Sequence, residues 1–237
     1  MKETEINGFV VRRKNLGDGS LILTIYSKEN GKISVVAKGI KKPRAKLQSF
    51  VEPLIESKYR LIGNGRIPIL VGVTPLKANS FYYGSTEKNL SAILITEILD
   101  KLTSEENTNH NLYVVYKEGI QQLLSSEKTL LVVTYIIMRI LQSSGFEPHI
   151  ISNEKGKYFL NLSEGTVTSS AEGQESLVMD EKTVKLWKIL LNYDHKIVER
   201  LTVEDGVLRS SISKLVSYIE YSTQKKIKSA KVLFDSI

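Results

Sequence analysis

The chain has 237 residues, 41% of them hydrophobic and 25% charged, a net charge of +7, and no cysteine. That size buries a real core in one or two domains, and the absence of cysteine excludes disulfides, thiol catalysis and thiolate metal sites. The opening MKETEINGFVVRRKNLG is mixed and charged, so neither a signal peptide nor a membrane span is expected, and the expectation is a soluble cytoplasmic protein.

The charge is unevenly spread. Residues 1–77 hold fifteen Lys or Arg against six Asp or Glu, a balance of +9, while the remainder carries −2. Within that third, GKISVVAKGIKKPRAKL carries Lys32, Lys38, Lys41, Lys42, Arg44 and Lys46 and no acid. Such asymmetry is the footprint of a surface for polyanions, nucleic acid or anionic lipid, and the plain alternative is a solvated basic face.

In chain order, GFVVRRK, SLILTIYS, KISVVAKGI, IESKYRLI and IPILVGV read as short strands, β-branched and apolar, with turn signals between them. Asn30-Gly31 marks a hairpin between the second and third, and Ile55, Tyr59 and Leu61 alternate with Glu56, Lys58 and Arg60. Five such strands predict a small OB-type barrel over residues 1–80. From Ser85 the period becomes helical. Leu90, Ile93, Leu94 and Ile98 predict one buried stripe, with Ser85 as N-cap, and Leu112, Tyr116, Ile120 and Leu123 predict a second. TLLVVTYIIMRIL is apolar all round up to Arg139 and predicts a central helix, too short to span a membrane. LWKILL lies in a further helix after Asp180. The last long helix is expected to start near Thr202-Val203-Glu204-Asp205, a capping-box pattern, and to bury Leu208, Ile212, Leu215, Val216 and Ile219. Residues 81–237 are thus expected to be a helical domain, with a two-stranded insert or ordered loop at about 147–178.

Enzyme signatures fail in turn. No phosphate-cradling G-x-x-x-x-G-K-[ST] occurs, Gly63-Asn64-Gly65 stops short of a dinucleotide fingerprint, and no G-x-S-x-G elbow is present. His110, His149 and His195 are far apart, without metal-ligand spacing. What remains is a basic barrel, the construction that holds nucleic acid by tracking phosphates with cations and stacking bases on aromatic rings. Arg12, Arg13, Lys14, Lys32, Lys38, Lys41, Lys42, Arg44 and Lys46 are the candidate DNA-binding cations, and Tyr26, Phe50 and Tyr59 the candidate platforms.

NLGDGSLILTIYSKENGKISVVAKGIKKPRAKL resembles the N-terminal segment of the bacterial DNA repair protein RecO family, whose members carry LGE, ILT, GK and VAKGA followed by basic residues. IIMRILQSSGFEP looks like a family helix ending in GYAP, and LVSYIEYSTQKKIKSAKVLF like its closing segment, so landmarks in family order run from Asn15 to Phe234. The resemblance implies an N-terminal OB-fold and a C-terminal helical domain. It also implies a non-enzymatic recombination mediator that binds single- and double-stranded DNA and anneals complementary strands. Its implied partners are RecR, the acidic tail of single-strand-binding protein and, indirectly, the RecA recombinase at the nucleoid. Lys32, Lys38, Lys41, Lys42 and Arg44 fall on the family's GK and VAKG-basic motif, and the other cations rest on charge alone. Arg139 is a candidate contact for the acidic tail, as is KKIKSAK near the end of the chain; alternatively Arg139 is an edge charge reaching solvent. Many relatives carry a four-cysteine zinc site after the GY-x-P helix. Here PHIISNEKGKYFLNLSEGTVTSS has none, and His149 with Glu147 and Glu154 makes a poor replacement, so no metal and no cofactor are expected. An RNA-binding or assembly factor built on the same barrel is the alternative reading, because phosphate is common to both nucleic acids. A metal-dependent nuclease is a third, disfavoured by the missing motifs.

Overall fold

The computed structural model describes residues 3–40, 51–63, 67–76, 85–151, 156–171 and 175–236. By its internal contacts the chain divides into two compact units, Met1–Gly84 with Thr103–Val114, and Ser85–Leu102 with Val115–Ile237.

The first unit is a closed five-stranded barrel, in the order β1-β2-β3-β5-β4, built from β1 (Glu3–Gly17), β2 (Ser20–Ser27), β3 (Gly31–Ala37), β4 (Glu56–Ile62) and β5 (Ile69–Pro75). The long β1 serves two partners: Glu3–Phe9 pair with β4 and Gly8–Gly17 with β2, all antiparallel. A register shift between Val10 and Arg12 bends it from one to the other, as an inserted residue does. The seam closes through a single parallel pair, Val36 with Ile69. Ile6, Val10, Leu23, Ile25, Val35, Tyr59 and Leu61 fill the interior, each apolar side chain contributing about 1.5–3 kcal/mol on full burial.

The connection Thr103–Asn109 lies against β3. Glu106 donates its amide to the carbonyl of Lys32 at 3.0 Å, and a Cβ at Gly31 would fall 2.2 Å from the carbonyl oxygen of Asn107. Gly31 also holds φ +64°, so both the turn and the close approach exclude a side chain.

In the second unit, α3 (Thr129–Ser144) is the buried central helix and packs against α1 (Thr86–Leu102), α4 (Glu181–Asn192), α5 (His195–Val198) and α6 (Asp205–Thr223). It ends at Gly145 (φ +76°), whose amide returns to Gln142. α2 (His110–Ser125), which the division crosses after Val114, buries the expected Leu112, Tyr116, Ile120 and Leu123. The α6 stripe is buried as expected, and Ser211 on that face accepts a hydrogen bond from the indole of the buried Trp187 at 2.6 Å. α1 starts beside Ser85, whose hydroxyl accepts from the Lys88 amide.

Four expectations change. Ile93 is 46% exposed, because the buried side of α1 is carried by Ala92, Leu94, Ile95, Ile98 and Leu99. The N-cap of α6 is Glu204, without a side-chain cap, so no capping box forms there. A further helix, α7 (Lys228–Ser236), docks on α1 through Ser229, whose amide and hydroxyl both donate to Glu97. The insert is a four-stranded sheet, β6 (His149–Ile150), β8 (Thr166–Thr168), β7 (Tyr158–Asn161) and β9 (Ser176–Met179) in spatial order. Its buried face is Tyr158, Leu160, Val167 and Met179. Strands of two to four residues leave too little alternation to read among polar turns.

Candidate nucleic-acid interface

The β1–β2–β3 register gathers cations at one end of the barrel. Arg12, Arg13 and Lys14 stand opposite Thr24, Leu23 and Ile22, and Ile22 in turn stands opposite Val36. Lys38 follows β3 at that same end, in a turn fixed by the Gly39 amide on the Ser20 hydroxyl, 3.1 Å away. Strand spacing therefore sets Lys14 about 10 Å from Val36 across β2, and Lys38, two residues further on, roughly 12 Å from Lys14. Arg12, Arg13, Lys14 and Lys38 are all exposed. Arg13 is ion-paired with Glu52. The flanks of the basic run converge here too: Ile40 and Val51 are both buried in the barrel core, and Glu52 is the residue that holds Arg13. Lys41, Lys42, Arg44, Lys46 and Phe50 themselves lie outside the described residues.

Lys32 is a correction. It is 6% exposed, at the opposite end of β3, and its ammonium donates to the carbonyl of Thr103. A phosphate cannot reach it without displacing the Thr103–Asn109 connection. Lys32 thus fastens that connection to the barrel.

The aromatic platforms are corrected as well. Tyr26 and Tyr59 are both fully buried. Tyr59 fills the barrel centre, where burial raises its phenol pKa above the usual value. Tyr26 stacks on Tyr113 with ring centroids 6.4 Å apart and donates its hydroxyl to the Asn109 carbonyl at 3.3 Å; burial pushes its pKa up to about 12. Tyr113 also packs on Phe9 and donates to the buried Glu56 at 2.9 Å. Burial raises its pKa first, and the Glu56 hydrogen bond and charge raise it further. Nothing near Tyr113 or Glu56 in sequence announces this pairing, because the two residues are 57 positions apart.

Arg139, on α3, is half-buried and well supplied. Its Nε donates to the Tyr135 hydroxyl at 3.0 Å, Nη1 to Gln142 Oε1 at 2.7 Å and Nη2 to the Tyr193 carbonyl at 3.1 Å, with the guanidinium 5.1 Å from the Tyr135 ring centre. In KKIKSAK, Lys226 pairs with Glu220 and Lys225 donates to the Lys101 carbonyl.

The insert does not fit a structural zinc site. The chain has no cysteine, His149 is exposed on the two-residue β6, and no group of three or more His, Cys, Asp or Glu among the described residues is placed to hold a metal ion. Among those residues no helix is long and apolar enough to cross a membrane.

Residues 1–79 match the family model described as recombination protein O N terminal, and residues 84–231 the one described as recombination protein O C terminal. The DNA repair protein RecO of Alkaliphilus metalliredigens is 26% identical over 220 residues, covering 88% of this chain and 89% of its own. Its counterpart in Desulforamulus reducens is 22% identical, covering 98% and 94%, and that of Pelotomaculum thermopropionicum 23%, covering 97% and 93%. With both models matched in order, and with the five-stranded barrel in the first and the helices in the second, the chain belongs to the recombination protein O family of DNA repair proteins.

Proposed function

We propose that the chain is a non-enzymatic DNA-binding mediator. In this reading it binds single- and double-stranded DNA, anneals complementary strands, and helps load a recombinase onto strands coated with single-strand-binding protein. The observation that carries it is the exposed cationic end of the barrel, where Arg12, Lys14 and Lys38 stand together beside the two anchors of the 41–50 run. Cations there replace the counterions condensed on each strand, so two DNA chains can approach one another without a chemical step. Lys41, Lys42, Arg44 and Lys46 are assigned to DNA binding by their charge and by the family motif, and Arg13 serves it through its pairing with Glu52. RecR is a partner, and RecA an indirect one, at the nucleoid. The acidic tail of single-strand-binding protein docks beside Arg139, whose guanidinium is held in place by Tyr135, Gln142 and Tyr193.

Annealing of complementary strands coated with single-strand-binding protein, without ATP, tests this reading. Wild type is expected to anneal, and Lys41→Glu/Lys42→Glu/Arg44→Glu and Arg12→Ala/Lys14→Ala/Lys38→Ala to fail while remaining folded. Equal annealing by wild type and both variants would overturn the assignment of this surface. Inactivity of all three, with preferential binding of RNA over DNA of equal length, would favour an RNA factor instead.

A further inference from the structure

The barrel seam has an opening of different character from its cationic end. Val36 donates its amide to the Pro68 carbonyl at 2.9 Å, which fixes the direction of pairing between β3 and the chain entering β5. Backbone groups alternate along a strand, so the Ser34 carbonyl faces the same way as the Val36 amide and the Lys32 carbonyl. Continuing the parallel ladder would require Ser34 to accept from the amide of residue 68. That residue is Pro68, which has no N–H to give. At Lys32, one step further, the neighbouring chain is Glu105–Glu106.

Between these two closures lies a cleft of about 570 Å³. Ile33, Pro68 and the 48% exposed Ile67 give it apolar surface, over the buried Ile6 and Leu61. Its remaining groups are mostly acceptors. Glu5, Glu105 and Glu106 are exposed on the rim, and Ser34 lines the wall. Glu5 is shared with Lys58 at 3.4 Å, Glu105 takes the Ser34 hydroxyl at 3.1 Å, and Glu106 has no ion-pair partner among the described residues. Lys32 also borders the cleft, but its ammonium is committed to Thr103.

We propose that this cleft docks an arginine-bearing peptide segment of a partner protein, by charge complementarity. A guanidinium presents donors in a planar fork, which suits the carboxylates on the rim, while its aliphatic stem lies on Ile33, Ile67 and Pro68. The carboxylates disfavour phosphate, which sets the cleft apart from the cationic DNA surface. Along β3 the cleft residue Ser34 and the exposed Lys38 are four residues, about 13 Å, apart, so peptide and DNA are expected to occupy neighbouring parts of the barrel.

The test is fluorescence anisotropy of the full chain with the labelled peptide Gly-Ile-Arg-Val-Arg-Ile-Gly and with its citrulline analogue, which keeps the shape and loses the charge. Saturable binding is expected, weakened about tenfold or more by citrulline and by Glu105→Gln/Glu106→Gln, as expected for loss of charge-assisted hydrogen bonds. Ile67→Lys, which places a cation on the rim, gives an independent block. Arg12→Ala/Lys38→Ala and saturation with oligonucleotide are expected to leave peptide binding unchanged, and the cleft variants to leave annealing unchanged. Absence of binding, equal binding of the citrulline peptide, equal binding by Glu105→Gln/Glu106→Gln, displacement by oligonucleotide, or complete displacement by equimolar spermidine would overturn the proposal. None of these results depends on whether the chain anneals DNA.

Discussion

The hydroxyl of Tyr113 donates to the buried carboxylate of Glu56 at 2.9 Å, tying the segment after α1 to strand β4. Removing that donor leaves a carboxylate that is 4% exposed with one partner fewer. Tyr113→Phe is expected to cost about 1–3 kcal/mol. Urea unfolding of the whole chain checks it, with the 47% exposed Tyr193→Phe as the control expected to change little.

Lys32 and Lys38 lie on the same short stretch and are expected to fail differently. Lys32→Ala breaks the bond to Thr103, so it should lower the melting temperature and leave the salt dependence of DNA binding unchanged. Lys38→Ala should leave stability within about 0.5 kcal/mol and reduce the slope of log K against log salt by about 0.7 for single strands, the share of one phosphate contact. Binding titrations at several salt concentrations, with thermal melts, separate the two.

Gly31→Ala should be markedly worse than Gly17→Ala. Both glycines hold positive φ, +64° and +93°, so both substitutions carry backbone strain of about 1–2 kcal/mol. At Gly17 the new methyl meets nothing within 4 Å, whereas at Gly31 it would sit 2.2 Å from the Asn107 oxygen and displace the Thr103–Asn109 connection. Hydrogen exchange of amides 103–109 is expected to quicken in Gly31→Ala and stay as wild type in Gly17→Ala.

Asp180 caps α4, accepting from the Thr183 amide at 2.8 Å and its hydroxyl at 2.7 Å. Partial burial alone would raise its pKa, but these hydrogen bonds outweigh it and the pKa falls below its ordinary 3.8. A carboxyl with a depressed folded pKa stabilises above its unfolded value, and that contribution disappears as pH falls through the folded one. Asp180→Asn keeps a cap acceptor and loses the charge, so its deficit against wild type should be largest near neutral pH and shrink below about pH 4. Denaturation midpoints from pH 7 to pH 2.5 check the sign.

Much of the architecture was legible because it repeats. The strands of the barrel and the stripes of α2 and α6 show in the spacing of Leu, Ile and Val, each of which faces a core made by its own element's neighbours. Lys32 was not legible, because what buries it lies 71 residues away. Its own alternation with Val35 and Ala37 directs it outward, and only the connection laid over it reverses that. Tyr26 misled for the same reason: its outer cover is Tyr113. Lys38 and Arg12 are exposed, as their places beside the buried Ala37 and Val11 direct. The cleft beside Ser34 had one local signal, Pro68 ahead of a strand, and no means of revealing which segment would stand opposite.

The first compact unit is discontinuous in the sequence, since Thr103–Val114 belongs with Met1–Gly84. A fragment cut at residue 84 would therefore lose the lid over Lys32, the acceptor of the Tyr26 hydroxyl and the donor to Glu56 in one stroke. Exchange of N-terminal thirds between relatives meets the same difficulty: the graft arrives matched to a lid left behind in the donor. The inheritable module is the barrel together with a twelve-residue passage encoded after the first helix, and a chimera carrying both pieces is the one expected to fold as its parent does.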